Sequence, residues 1–205
     1  MSDHEDSFSS PPLLGEHTLA EGHIESVMHA FTFHFSPITS HVSHIPPMIT
    51  LQHINPTSTR VYMGTLTGGV EVHPALIEVA RAQAIHTATF ELLGGLTEVE
   101  FRSFDFEGQK RKPPITFTRP MEIVSGHGTL SLLDGEPNVH LHLAVAFGDT
   151  DTPHGISVVG GHVTRAVAHA LEFTLTAYEG APVYRKLDEG TGLMLWKLPE
   201  LKRDA

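Results

Sequence analysis

Residues 139–147 have the sequence VHLHLAVAF, in which apolar side chains alternate with two histidines before the run turns wholly apolar. Alternation with a period of two predicts a β-strand, whose side chains two positions apart lie on the same face of a sheet. His140 and His142 therefore stand side by side, and their imidazoles can converge on one point. This strand decides the fold prediction, because the segment before it is interpreted as its antiparallel partner.

The histidine pair supplies two of the three protein ligands of a catalytic type of zinc site. Imidazole is the commonest metal ligand, and three protein ligands with an open fourth position distinguish catalytic from structural zinc. His162 follows Gly160 and Gly161, whose missing Cβ atoms permit the close backbone approach that a third ligand needs. The alternative is a histidine pair on a half-exposed strand face, since 16 histidines in 205 residues produce about one such pair by chance.

Composition excludes several classes of protein. A chain of 205 residues suits one folded domain, and 13 basic against 24 acidic residues give a net charge of -11, which disfavours nucleic-acid binding. The absence of cysteine excludes disulfides, thiolate ligands and cysteine nucleophiles. The acidic amino terminus does not resemble a signal peptide, and no stretch approaches the roughly 20 apolar residues of a membrane span. We therefore expect a soluble, cytoplasmic protein with no membrane partner.

The chain divides by composition into three regions. Residues 1–59 are rich in His, Pro and Ser without a clean period, and only Thr18 to Met28 indicates a short helix. We interpret this region as a partly disordered extension, residues 60–198 as the folded domain and residues 199–205 as a tail. An auxiliary metal-binding arm is the alternative for the extension, but its prolines scatter the histidines over segments with no common face.

Within the folded domain most segments have the pattern of strands. Pro74 suits the first position of a helix that runs to Ala84, whereas residues 165–170 alone fit either a helix or a strand. Asp134-Gly135 predicts a tight turn before the 139–147 strand, and Gly94-Gly95 predicts a turn or a bulge. The result is an α+β domain of mostly antiparallel sheet with one or two covering helices. The predicted strands are Arg60–Leu66, Thr87–Leu93, Leu96–Phe106, Met121–Ser125, 139–147, Ile156–Val159, Ala168–Tyr178 and Leu193–Trp196.

Residues 109–114, QKRKPP, form the one basic cluster of the sequence. Three positive charges in so short a segment can contact phosphate. The alternative, which the acidic composition favours, is a solvated hairpin loop.

Several short motifs occur in an order and spacing that resemble those of the PPC (plants and prokaryotes conserved) domain, over about residues 60–198. The closing segment from Tyr184 is similar to the tail of its prokaryotic members. The motifs are Met121-Glu-Ile-Val-Ser, Asp134-Gly-Glu-Pro, His140-Leu-His, Gly160-Gly-His, Leu171-Glu and Tyr184-Arg-Lys-Leu-Asp-Glu-Gly-Thr-Gly-Leu-Met-Leu.

The resemblance implies an α/β-type fold with a largely antiparallel sheet that assembles as a homotrimer. Its His-x-His and Gly-Gly-His motifs fall on His140, His142 and His162, which in prokaryotic members can hold zinc; other divalent transition metals stay open. Plant members accompany AT-hooks and associate with DNA, but this sequence has no Arg-Gly-Arg-Pro hook. The fold is also similar to that of acetolactate decarboxylase and of a family of zinc-dependent ester hydrolases.

These observations leave three hypotheses about function. The first is a metal-binding trimer with a non-catalytic regulatory or partner-binding role. The second is a zinc-dependent hydrolase or decarboxylase-like enzyme, in which the metal lowers the pKa of a bound water from 15.7 to about 7. Its candidate acid/base groups are Glu172, Glu122 and His127, each of which can equally be an ordinary surface carboxylate or turn histidine, and its ligand is a small molecule at the metal. The third is direct DNA binding, which the net charge disfavours.

Overall fold

The computed structural model describes residues 53–54 and 58–200, in which one helix is accompanied by nine strands. The helix predicted from Thr18 to Met28 and almost all of the proposed extension lie outside these residues, and the division of the chain near residue 59 stays a prediction. The elements are β1 (Ser58–Thr67), α1 (Val72–Ala82), β2 (Ala88–Phe101), β3 (Phe104–Asp105), β4 (Lys110–Arg111), β5 (Ile115–Leu133), β6 (Glu136–Gly148), β7 (Ile156–Glu179), β8 (Arg185–Asp188) and β9 (Leu193–Trp196).

The main sheet has the strand order β1-β7-β2-β5-β6, and β6 pairs again with β7. The strands β7, β2, β5 and β6 therefore close into a small antiparallel barrel. Closure depends on the length of β7, whose residues 156–163 pair with β6 while residues 163–177 pair with β2. The predicted α+β fold with a mostly antiparallel sheet is confirmed.

Alternation along the strands separates the core from the outer face. On β6, Val139, Leu141, Leu143 and Val145 are buried, and the residues between them lie on the opposite face. The helix α1 adds its own apolar stripe to the same core through Val72, Leu76 and Ala80. No helix in the described residues is both long enough and apolar enough to cross a membrane.

Three local predictions need correction. The helix begins at Val72 rather than at Pro74, which occupies its third position, and it ends at Ala82. Residues 165–170 belong to β7, so the helical alternative is wrong. Gly94-Gly95 does not join two strands: β2 continues through it with shifts of register on both neighbours, so the bulge is correct and the turn is wrong.

The tight turn before β6 is confirmed. Asp134 and Gly135 both have positive φ angles, of 52° and 86°, and connect β5 to β6. Two successive left-handed residues match the right-handed twist of an antiparallel hairpin, which explains the Asp-Gly pair.

The bulge at Gly94 generates a prediction about stability. Gly94 has a φ of +118°, and a Cβ atom there would lie 2.5 Å from the carbonyl oxygen of Ala170 and 3.1 Å from the Cα of Leu171. Both contacts are with backbone that cannot rotate away. We expect Gly94→Ala to lower the free energy of unfolding by about 2 kcal/mol or more in urea denaturation.

Gly148→Ala is the matched control, because a Cβ at that position meets nothing within 4 Å. It should change the free energy of unfolding by less than about 0.5 kcal/mol. Equal stability of the two variants would contradict the strain assigned to the bulge.

Candidate metal centre

The ladder between β6 and β7 brings the three predicted histidines together. His142 lies directly opposite His162 in the register, and His140 shares the face of His142 because it is two residues away. The ring centroids are 5.1 Å apart for His140 and His142, 4.9 Å for His140 and His162, and 5.4 Å for His142 and His162. One nitrogen from each ring lies within 4.8 Å of the others.

The connection between β6 and β7 sets this register. Asp149 anchors it: its backbone N–H donates to the carbonyl of Gly155 at 2.8 Å, and its carboxylate accepts from the hydroxyl of Ser157 at 2.5 Å and from the N–H of Asp151 at 3.1 Å. The hydrogen bond from Ser157, followed by that from Asp151, lowers the pKa of Asp149. The loop is thus held at one length, and a slip of one residue, which would turn His162 to the other face, is opposed.

The glycines before His162 are both required. A Cβ on Gly160 would lie 2.6 Å from the carbonyl oxygen of Leu143 and 3.2 Å from the Cα of Ala144, so the backbones of β6 and β7 approach as the sequence predicted. Gly161 has a φ of +153°, which side chains rarely adopt.

All three imidazoles are biased toward the neutral form, which is the form that binds metals. Burial, and next the positive charge of Arg111, lower the pKa of His162 to about 3. Burial, and next Arg185, lower the pKa of His140 to about 4. The pKa of His142 is lowered by burial and then by Arg111.

The donor set fits a transition metal. The Nδ1 of His162 is buried and has no hydrogen-bond partner among the described residues, so it is an unsatisfied polar atom that a bound metal ion would satisfy. Imidazole donors suit zinc, copper, nickel and iron, whereas magnesium and calcium prefer oxygen ligands. No carboxylate belongs to the cluster in the part of the chain that the structure describes.

Arg185, at the start of β8, competes with a metal for His140. Its Nη2 donates to the Nδ1 of His140 at 3.2 Å and to the hydroxyl of Thr129 at 3.0 Å, its Nε donates to the hydroxyl of Ser131 at 2.9 Å, and its Nη1 donates to the carbonyl of Met194 at 3.1 Å. Because a guanidinium only donates, the Nδ1 of His140 accepts and the proton of the neutral ring lies on Nε2. Metal binding by His140 therefore requires this hydrogen bond to be given up.

The histidines open onto a cavity of about 450 Å³. Its walls come from the β3–β4 hairpin on one side and from the β8–β9 hairpin on the other. Arg111, in the basic cluster, is half-buried and lines this cavity, whereas Lys110 and Lys112 are exposed. The cluster thus forms the predicted hairpin, with one of its three charges turned to the site. The lining residues are Arg102, Ser103, Phe104, Phe106, Arg111, Leu133, Asn138, Val139, His140, His142, His162, Arg185, Leu193, Met194 and Leu195.

The three candidate acid/base residues lie at different distances from the cluster. His127 of β5 is opposite His142 in the register and lines a second cavity that His140 and His142 also reach. Glu122 is opposite Ala146, four residues along β6 from His142, which corresponds to roughly 13 Å. Glu172 pairs with Leu93 and lines a different cavity. The structure therefore brings His127 to the histidines and keeps the two carboxylates away.

Sequence reasoning missed Arg102 and Arg185 as site residues. Arg102 follows β2, and its backbone N–H donates to the carbonyl of His162 at 2.9 Å, which places it beside the cluster. Arg185 stands in the tail motif that supported the family resemblance, but nothing in its local sequence indicates that β8 folds back over His140.

The fold and the site define a class: a small closed antiparallel barrel with one helix that presents three histidines from two adjoining strands. The model of the Plants and Prokaryotes Conserved (PCC) domain matches residues 53–179. This is more than half of the chain, and the chain belongs to that family, which the sequence motifs indicated under the name PPC.

Solved structures agree with this assignment. A plant- and prokaryote-conserved (PPC) protein from Pyrococcus horikoshii has a TM-score of 0.61 and 28% identity, covering 69% of this chain and 94% of its own. A protein from Ralstonia eutropha JMP134, named as a candidate DNA-binding protein, has a TM-score of 0.58 and 26% identity, covering 67% of this chain and 91% of its own. A metal-containing protein from Archaeoglobus fulgidus shares the fold, with a TM-score of 0.62, 24% identity and coverage of 72% and 97%. Among curated proteins, none matches this chain.

The lowered pKa values generate a prediction for the metal-free protein. The unfolded chain binds protons at its histidines near pH 6.5, whereas folded His140 and His162 do so only near pH 4 and pH 3. Between these pH values the unfolded state binds more protons than the folded state. Lowering the pH therefore lowers the free energy of the unfolded state relative to that of the folded state. The free energy of unfolding, measured with urea in the presence of a chelator, should therefore decrease from pH 6.5 to pH 4.

His162→Gln should flatten this decrease, because the glutamine does not titrate. His154→Gln, a change of an exposed loop histidine, serves as the control and should keep the slope of the unmodified protein. A slope that is the same in both variants would contradict the account.

Proposed function

We propose that this PCC-domain chain binds a zinc ion through His140, His142 and His162, and that the ion keeps one coordination position for a small-molecule ligand. The observation that carries the proposal is the convergence of three imidazoles at the wall of a cavity, with no fourth His, Asp or Glu in the cluster among the described residues. Three protein ligands and one accessible position are typical of zinc that contacts a ligand, whereas structural zinc has four protein ligands.

The choice of zinc rests on the donors. The sequence contains no cysteine, so soft thiolate ligands are excluded, and the cluster offers neutral nitrogen only. Zinc accepts three imidazoles without a preferred geometry of its own, and nickel and copper compete for the same donors. The measurement below distinguishes them.

The role that we propose is regulatory or partner-binding, and the small-molecule ligand at the metal is the signal to which the protein responds. No carboxylate lines the cavity in the part of the chain that the structure describes, so a Glu or Asp that could act as a base beside a zinc-bound water is missing there. A site that holds a ligand without a strong base is better suited to binding than to turnover.

A metalloenzyme is the second candidate, and the position of His127 favours it. This ring lies opposite His142 in the register, and it follows burial and Arg111 among the causes that lower the pKa of His142. A zinc ion at the three histidines would supply a polarised carbonyl or an acidic bound water. His127 could then accept or return the proton, as one more titratable group on the same face of β5 and β6.

Elemental analysis tests the proposed centre. We expect the purified protein to contain close to one zinc per chain, and His142→Ala or His162→Ala to reduce this to less than a tenth, because two imidazoles alone bind zinc weakly. Circular dichroism reports whether each variant still folds.

His154→Ala removes a histidine of the β6–β7 loop without touching the cluster and should retain the metal. The proposal fails if neither the purified protein nor a zinc-supplemented sample contains a transition metal. Turnover of ester or keto-acid substrates that disappears in His142→Ala but not in His154→Ala would establish the enzyme instead of the binding role, and its loss in His127→Ala would identify the base.

We also propose the homotrimer that the family resemblance implies. Large apolar side chains are exposed on the strands of the outer face, at 66% for Val61, 84% for Met63, 64% for Leu93 and 60% for Val158. Met63 and Leu93 line the same surface cavity, and a contiguous exposed apolar patch marks an interaction surface that a partner subunit would cover.

Light scattering after size exclusion tests this assembly. We expect three times the monomer mass, and we expect Met63→Glu combined with Leu93→Glu to shift the protein toward the monomer, because two charges would be buried without partners. Lys186→Glu, a charge change at an exposed position of β8, should leave the mass unchanged. A monomeric mass for the unmodified protein would refute the proposal.

Association with DNA is the least supported role. The net charge of -11 repels phosphate. Arg111 of the basic cluster lines the cavity instead of adding to an open basic surface. Lys110 and Lys112 are the two cluster charges left for a duplex, and two phosphate contacts supply little affinity at physiological salt.

A further inference from the structure

Three arginines from separate parts of the chain line the cavity beside the histidines. They are Arg102 after β2, Arg111 in β4 and Arg185 in β8, and no Asp or Glu lines the same cavity among the described residues. The ion pairs with carboxylates in that part of the chain involve other arginines, namely Arg60, Arg81 and Arg165. An acidic protein thus concentrates unpaired positive charge at one place.

The arginines are held in position by other contacts. The Nε of Arg102 donates to the carbonyl of Lys112 at 3.1 Å, and the guanidinium of Arg111 lies 5.6 Å from the centre of the Phe104 ring. Burial, and next the charge of Arg102, lower the pKa of Arg111, which shows that the two cations are unfavourable to each other. Like charges fixed this way cost stability, and a bound anion is the group that would offset the cost.

The three arginines do not have the same capacity to bind an anion. Arg185 already donates to Thr129, Ser131, Met194 and His140, so little of its guanidinium is available. Arg102 donates one hydrogen bond, from its Nε. Arg111 donates one long hydrogen bond of 3.4 Å, from its Nη1 to the carbonyl of Arg102. Most N–H donors of these two guanidinium groups therefore remain available for a planar or tetrahedral oxyanion, which a guanidinium can bind with two parallel hydrogen bonds.

Apart from the arginines and histidines, most of the cavity lining is apolar, with Ser103 and Asn138 as the polar exceptions. Phe104, Leu193 and Leu195 contribute to its walls, and the volume of about 450 Å³ is in the range of pockets for small molecules. A duplex needs an extended basic surface with many phosphate contacts, which a cavity bounded by two hairpins does not provide.

We propose that this cavity binds a small organic oxyanion, a carboxylate or a phosphate ester on an apolar body, through Arg102 and Arg111, with the body against β9 and the anionic end beside the three histidines. The inference names the ligand class of the proposed function and rests on it where the metal is concerned. The arginines themselves bind the anion with or without the ion.

Calorimetry with three probes that share one aromatic ring tests the proposal. Benzoate, phenyl phosphate and benzyl alcohol are titrated into the full chain, once loaded with zinc and once treated with a chelator, so that direct binding to zinc is separated from binding to the arginines. We expect at least one of the two anions to bind ten times more tightly than benzyl alcohol in both forms. The stronger of the two identifies carboxylate or phosphate as the natural anion.

Variants with the same change of charge locate the site. Arg111→Gln and Arg102→Gln should each weaken binding of the anion about tenfold, since each removes hydrogen bonds to a charged group. Lys110→Gln removes the same charge from the same hairpin without touching the cavity, and should change the affinity less than twofold. Thermal melting shows whether each variant folds. If Arg111→Gln does not fold, Arg102→Gln still tests the proposal.

Several outcomes would overturn the proposal. Equal affinities for benzoate, phenyl phosphate and benzyl alcohol exclude an oxyanion site, and equal losses in Arg111→Gln and Lys110→Gln reduce the effect to net charge. Displacement of the probe by duplex DNA at 0.2 M salt assigns the arginines to nucleic acid instead. Anion binding that depends on Arg111 in a chain that takes up no metal even when zinc is supplied upholds the oxyanion site and rejects the zinc centre, whereas a zinc-containing chain that binds no anion does the reverse.

Discussion

The antiparallel ladder between β6 and the first third of β7 is the constraint on which the molecule depends. Through residues 156–163 it closes the barrel, and through the pair His142 and His162 it builds the histidine cluster. A strand has two faces only, so the register that buries Leu141 and Leu143 is the one that sets the histidines on the other side. Fold and site cannot be separated here, because a slip that spoils one spoils the other.

The electrostatics of the site follow from what surrounds that ladder. Burial and the neighbouring arginines keep the imidazoles neutral, which favours coordination, but the same arginines oppose the entry of a doubly charged cation. An oxyanion that lies between the metal ion and Arg102 and Arg111 would offset the repulsion between these positive charges. The two proposals therefore support each other physically, because the charge of Arg111, which makes the metal costly, is one that the anion would neutralise.

The features that the sequence predicted are those encoded over short distances. Alternation located β6, the Asp134-Gly135 pair located its turn, and the spacing within β6 placed His140 beside His142. The pairing of Glu122 with Ala146 depends on the register of β5, which no local pattern reveals, so its distance from the cluster was not predictable. The same holds for the course of β2 through Gly94, since a glycine pair is compatible with a turn and with a bulge.

The arginines show how far this limit extends. Arg102, Arg111 and Arg185 come from three segments that have no regular spacing, and it is the tertiary structure that brings the hairpins carrying two of them to one cavity. The family match ends at residue 179, whereas Arg185 and the β9 wall of the cavity lie beyond it. The shared domain thus supplies the histidines, and the segment that follows it supplies the hydrogen bond on His140 and one apolar wall. A change in β8 or β9 therefore alters the wall of the cavity beside the cluster without disturbing the β6–β7 ladder that closes the barrel.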